Sequence, residues 1–225
     1  MRRKGTISIA LGLLLIASAL CLVVYNHYES EAAGQASDNA MEHLMPIIEE
    51  NASIAGTSRL PMIISPNNPA QMPTEEVDGY SYIGVLSIPS RDISLPVMAT
   101  WDYGKLTKAP CRYSGSYYTG DLVICAHNYT RHFFPMINMD IGTEVCLLTV
   151  DGVVLRYVVS NRETVQPTAC DQMIDSDADW DLTLFTCNLG GQTRCAVRCL
   201  LVADQPVTEW RATVVRSAVQ CLLAM

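Results

Sequence analysis

The sequence predicts a mainly β domain: a closed barrel or sandwich of short strands with a few short helices, carried behind an N-terminal membrane helix. Three observations predict it. Short β-rich runs separated by turn residues follow one another from Tyr82 to Val202. An uncharged apolar run precedes them, from Ile7 to Tyr25. Apolar residues make up 49% of the 225 residues and charged ones 17%, enough for a packed core and against wholesale disorder.

The apolar run is 19 residues long, about 28 Å as a helix, which matches a bilayer core. Arg2, Arg3 and Lys4 stand before it, so the positive-inside rule keeps the N-terminus cytoplasmic and puts the bulk of the chain outside. Ala17-Ser18-Ala19 lies in mid-run, the wrong place for signal cleavage, and Leu20 precedes Cys21 where a lipoprotein signal wants a small residue. Residues 1–25 are therefore expected to be an uncleaved signal-anchor.

Residues 26–78 read as a juxtamembrane helix followed by a linker. Ala40, Met41, Leu44, Met45 and Ile48 recur at helical spacing, Asp38 could cap the helix, and Pro46 could kink or interrupt it. Pro61, Pro66, Pro69 and Pro73 then fall in a stretch with little periodicity. Residues 79–204 form the expected barrel. Its strands are Tyr82–Ile88, Ile93–Met98, Asp121–Ala126, Glu144–Thr149, Val153–Ser160, Leu182–Thr186 and Thr193–Val202, with Asp151-Gly152 as a hairpin turn. Residues 130–141 and 168–180 read as loops or short helices. Trp210, Val214, Ala218 and Leu222 give 205–225 the spacing of an amphipathic helix, packed on the barrel or touching the membrane surface.

Charge narrows the function. Beyond residue 25 the chain carries 12 Lys and Arg against 23 Asp and Glu, which argues against nucleic acid as a partner. Nine cysteines in a chain whose bulk lies outside the cytosol would suggest disulfides, but the number is odd and one of them, Cys21, lies in the membrane run. Cys125, Cys146, Cys195 and Cys199 fall in apolar strands and read as buried thiols, with a Cys125–Cys195 pairing left open.

Two strand ends carry candidate chemistry. Leu122-Val123-Ile124-Cys125-Ala126 delivers His127 and Asn128, whereas His132, beside Phe133 and Phe134, reads as loop packing. Thr183-Leu184-Phe185-Thr186 delivers Cys187, and the chain returns through Gly190-Gly191 to Arg194. A hairpin-like return brings Arg194 near Cys187, where a guanidinium favours thiolate and offers donors to an oxyanion. Period two puts Arg198 on the same face, where it reads as a surface partner of the many carboxylates.

Thr183-Leu184-Phe185-Thr186-Cys187 resembles the T-L-x-T-C signature of sortases. The strand ending in His127-Asn128, the downstream Arg194, the N-terminal anchor and the run Tyr82-Ile83-Gly84-Val85-Leu86-Ser87-Ile88-Pro89 are similar to that family too, over about residues 80–203. The resemblance implies an eight-stranded sortase-type barrel and a membrane-anchored cysteine transpeptidase at the surface of a Gram-positive-type bacterium. It would cut a C-terminal sorting signal of a secreted substrate protein. It would then join the new carboxyl end to an amine of a peptidoglycan precursor or a pilin. Cys187 would be the nucleophile, His127 the acid and base, and Arg194 the oxyanion donor. Thr186, Asn128 and Trp180 would contact substrate, with the segment Glu163–Trp180, including Met173, reading the peptide. No cofactor is needed and no metal is expected; the acids Asp171, Asp175, Asp177, Asp179 and Asp181 offer only a weak calcium loop.

Rival readings stay open on the sequence. A hydrolase would use the same residues and release its product to water. A non-catalytic surface-binding module would not need Cys187. Cys125-x-His127 with Cys195-x3-Cys199 offers zinc-like ligands. Asn128-Tyr129-Thr130 matches a glycan acceptor pattern, accidental in a bacterial protein.

Overall fold

The computed structural model describes residues 2–55, 72–174 and 179–202. One helix, α1 (Arg2–Ala55), leads into nine strands. These are β1 (Glu75–Val77), β2 (Tyr80–Ile88), β3 (Ile93–Met98), β4 (Cys111–Ser114), β5 (Leu122–Cys125), β6 (Glu144–Thr149), β7 (Val154–Val165), β8 (Leu182–Cys187) and β9 (Arg194–Leu201). A short helix, α2 (Tyr103–Leu106), links β3 to β4 and is capped by Asp102, whose carboxylate accepts from the Lys105 N–H.

The sheet runs β1-β2-β3-β4-β5-β8-β9-β7-β6, and β2 also pairs with β6. That pairing closes β2–β9 into an eight-stranded mixed barrel, with β1 an extra strand on the start of β2. Closure requires glycine at position 84. Its φ is +155°, and a Cβ there would collide with the Leu148 carbonyl oxygen across the β2–β6 seam. The Asp151-Gly152 turn joins β6 to β7 as expected, with the Thr149 N–H donating to the Val153 carbonyl at 2.9 Å.

Alternation divides the apolar side chains into two cores. Ile83, Leu86, Ile124, Leu147, Tyr157, Leu184 and Val197 fill the barrel. Val85, Met98, Cys111, Cys125 and Leu148 point outward and meet Ala40, Met41, Leu44, Met45 and Ile48 of α1. Burial of the four larger helix side chains favours docking by about 1.5–3 kcal/mol each. Asn51 ends the docked stretch, donating to the Val150 carbonyl at 2.8 Å.

These contacts correct the expected linker organisation. The membrane run and the juxtamembrane helix are one helix, which continues through Pro46, and its second half is a layer of the domain. Met72 is buried in the barrel core and residues 75–77 are strand, so the linker does not extend to residue 78. The Pro-rich stretch 56–71 and the expected helix 205–225 lie outside the described residues. No residue of Ile7–Tyr25 is buried against the domain, and the mean hydropathy is 2.8 in its most apolar window, which fits a membrane anchor.

Candidate active site

Strand register builds the site. β5 and β8 run parallel with Cys125 opposite Phe185, so two residues further on the chain brings His127 level with Cys187. β8 and β9 run antiparallel with Cys187 opposite Arg194. The Thr186 hydroxyl donates to the Ala126 carbonyl at 2.9 Å, which ties the ends of β5 and β8 together directly beneath His127 and Cys187. The three candidate residues thus come from three adjacent strand ends, where side chains leave the barrel.

His127, Thr186, Cys187 and Arg194 line one cleft of about 340 Å³. Its other walls are Trp101, Tyr103 and Leu106 on one side, and Gln166, Pro167, Ala169 and Met173 on the other. Tyr113 and Phe185 floor it, with Tyr113 5.2 Å from Phe185 and 5.3 Å from Trp101 between ring centroids. Such an aromatic floor suits an apolar side chain of an extended peptide.

The three groups differ in setting. Cys187 is half-buried, whereas Cys111, Cys125, Cys146, Cys195 and Cys199 are buried and unpaired. Burial pushes the thiols of Cys111, Cys146 and Cys199 up to about 12, so they remain protonated and inert. The Cys125 thiol donates to the Cys111 carbonyl rather than bonding to Cys195. Burial also lowers the His127 imidazole below the ordinary histidine range, and the Glu29 carboxylate on α1 works in the opposite direction. Arg194 lines the cleft while its Nη1 donates to the Gly191 carbonyl at 2.9 Å and the Thr193 carbonyl at 3.3 Å. The hairpin holds the guanidinium, and Arg194 and Cys187 line the same cleft.

Not every predicted residue converges on the cleft. Trp180 lies over the Arg198 guanidinium, 4.4 Å from carbon to ring centroid, and is absent from the cleft wall. Asn128 is half-buried beside His127 and likewise does not line the cleft. Arg198 is not the surface residue its spacing suggested. It is 1% exposed, bonded to Glu163 at 2.8 Å, the Thr183 hydroxyl at 2.8 Å and the Gln172 carbonyl, and clamps β9 to the segment before β8. Met173 of that segment does reach the cleft. The zinc-like set is divided by the barrel wall, since Cys195 and Cys199 belong to the inner core and Cys125 to the outer one. No cluster suited to a metal occurs among the described residues. Asp175 and Asp177 lie outside them, and Asp181 is occupied in accepting from the Leu201 N–H at 2.6 Å.

Trp101, Tyr103 and Phe185 were not singled out as site residues by the sequence. Phe185 was within reach, because period two puts it on the face of Cys187. Trp101 and Tyr103 sit beyond the end of β3 and enter the cleft only through the β3–β4 connection.

Residues 86–204 match the sortase domain family. The chain therefore belongs to the sortases, a family of cysteine transpeptidases. No curated protein matches the sequence significantly. Among solved structures it is similar to sortase A of Corynebacterium diphtheriae, at 18% identity and TM-score 0.51 over 84% of this chain and 98% of that one. It is similar to Streptococcus pneumoniae sortase C at 20% identity and TM-score 0.51, over 77% and 100%. The sortase D5 transpeptidase of Clostridium perfringens shares 14% identity, TM-score 0.51, over 77% and 99%. At such identities these likenesses speak to the fold alone, and they span three sortase classes.

Proposed function

We propose that this sortase is a membrane-anchored transpeptidase that cleaves a C-terminal sorting signal through a thioester on Cys187 and passes the acyl group to an amine. The observation that carries the reading is the single cleft lined by Cys187, His127 and Arg194. Cys187 Sγ, as thiolate, attacks the scissile carbonyl carbon, and the carbonyl electron pair moves to oxygen beside the Arg194 guanidinium. The C–N bond breaks as His127 gives its proton to the departing nitrogen, leaving a thioester. An incoming amine attacks that carbon, His127 takes its proton, and the C–S bond breaks to restore the thiolate. Thr186 holds the nucleophile and the acid–base group in register through the β5–β8 strut. Because the two groups must carry opposite protonation states, the rate profile is bell-shaped.

The peptide would lie along the aromatic floor, with its reacting bond at Cys187, and Met173 and the residues around Pro167 reading its side chains. The acceptor would be an amine of a peptidoglycan precursor or of a pilin subunit, at the outer face of the membrane that α1 enters. Mass spectrometry of the intact chain with sorting-signal peptides tests the assignment. An acyl adduct on Cys187 that is lost in Cys187→Ala is expected; an adduct that survives this substitution contradicts it.

A further inference from the structure

The helix that enters the membrane also grips the loop that carries His127. The contacts run along one face of α1. The Tyr129 hydroxyl donates to Glu29 Oε2 at 3.2 Å. Ser30 Oγ and Thr130 Oγ1 are 2.7 Å apart, and the Arg131 N–H points to the same serine at 3.4 Å. The Arg131 guanidinium reaches Asp38 at 2.5 Å and Glu31 at 3.4 Å. It lies so close to Gly34 that a Cβ there would stand 2.6 Å from its Nε. Ser37 donates to the Lys108 carbonyl at 2.8 Å and sits 3.4 Å from His132 Nε2. Surface helices do not need such a set of contacts to bury an apolar stripe; along this stretch the buried apolar side chain is Ala33, and the larger ones begin only further along, at Met41.

The loop transmits that grip to the imidazole. The Tyr129 ring stacks on His127 with centroids 4.8 Å apart and planes inclined by 31°. Its other neighbour is buried His132, at 5.6 Å. The loop itself is closed by the Phe133 N–H donating to the His127 carbonyl at 3.2 Å and the His132 N–H donating to the Tyr129 carbonyl at 2.9 Å. A stacked ring fixes the plane of an imidazole that has few other constraints at a strand end. Stacking alone leaves the tyrosine free to turn; the bond to Glu29 removes that freedom.

We propose that Tyr129 and Glu29 are positioning residues for His127, so that the membrane-borne helix is part of the active-site apparatus and not only its tether. The inference rests on His127 being the acid–base group of the proposed transpeptidation. The groups facing His127 are Glu29 from α1, Tyr129 and His132 from its own loop, and Cys187 and Arg194 across the cleft. Arg131 is turned away onto Glu31 and Asp38. Tyr25 stands one helical turn before Glu29, on the membrane side. Glu29 is thus the only carboxylate among these neighbours, and it favours the imidazolium that must protonate the leaving amine.

The test uses the full chain in lipid nanodiscs with a fluorogenic sorting-signal peptide and an added amine. Tyr129→Ala should lower kcat about 10- to 100-fold with KM for the peptide changed less than about threefold. Tyr129→Phe, which keeps the ring and loses the bond to Glu29, should fall between it and the unsubstituted enzyme. Glu29→Gln keeps an acceptor but removes the charge, so the limb of the pH profile that reports loss of the imidazolium should move to lower pH. Thermal unfolding of each variant separates positioning from folding, since the kcat loss should exceed any loss of folded protein. Cys187→Ala runs in parallel. If it retains turnover, the transpeptidase reading fails. If it is inactive while Tyr129→Ala and Glu29→Gln keep the kcat and pH profile of the unsubstituted chain, the positioning proposal is overturned and that reading stands. A kcat loss that only tracks the folded fraction overturns it as well.

Discussion

Cys187 and Arg194 are cross-strand partners, so the backbone ladder itself sets the spacing of the proposed nucleophile and its guanidinium. Arg194→Lys keeps the charge but loses the planar set of donors that the Gly191 and Thr193 carbonyls orient. We expect kcat/KM to fall by about two orders of magnitude, measured as amine-dependent ligation, with the fold unchanged by circular dichroism. His132 gives a second prediction, on stability. Burial lowers its imidazole to about 4, with the Ala33 and Lys108 backbone opposing in part. The folded state therefore binds fewer protons there than the unfolded chain does. Stability from this group is complete above the unfolded histidine value and is lost as pH falls toward 4. Denaturant midpoints at pH 7 and pH 4.5 should differ by up to ~3 kcal/mol in unfolding free energy, and His132→Asn should flatten that difference. The candidate residues His127 and Cys187 stood out in the sequence because an apolar strand leads into each, and Arg194 because it opens the strand that returns beside Cys187. Trp180 was not, because a tryptophan beside a cleft-forming segment gives no sign of which face it covers.

At the scale of elements, strands with strong alternation were read to within a few residues. Ile93–Met98 and Glu144–Thr149 match the observed β3 and β6 at both ends. β4 was missed: Cys111-Arg112-Tyr113-Ser114 is short, follows Pro110, and joins β3 by a single parallel bridge at Met98 and Cys111. β1 was missed because Glu75-Glu76-Val77 has no apolar alternation and is a strand only through its pairing with β2. β7 extends five residues beyond its expected end, to Val165, across an irregularity between Val159 and Asn161. This extension carries Glu163 to Arg198 and fixes one wall of the cleft. Arg198→Met should therefore destabilise the domain by about 2–4 kcal/mol through the loss of its bonds to Glu163, Thr183 and Gln172. Trp180→Ala should lower Tm and leave peptide preference unchanged, whereas exchange of Met173 should alter preference with little change in Tm. Unfolding curves and a peptide library on the same proteins separate the two roles.

Across the whole molecule, the apolar N-terminal segment, the docked half of α1 and the barrel form a single run of structure. The sequence divided this run at residue 25, because hydropathy changes there although helical geometry does not. The apolar stripe at Ala40–Ile48 announced a helix, but not that the helix would cover the barrel and reach His127 through its loop. Glu29 lies four residues beyond Tyr25, about 6 Å along the axis, so the cleft sits close to the end of the domain that the apolar segment leaves. Under the proposed function, that position would suit a substrate and an acceptor that both arrive at a membrane surface. The most direct test of the account is ligation by the full chain in nanodiscs, read by mass spectrometry with a sorting-signal peptide library and an amine acceptor. The account predicts a thioester on Cys187 that builds up without amine and is converted to ligated peptide when amine is added. A thioester resolved only by water, at the same rate with and without amine, would contradict transpeptidation.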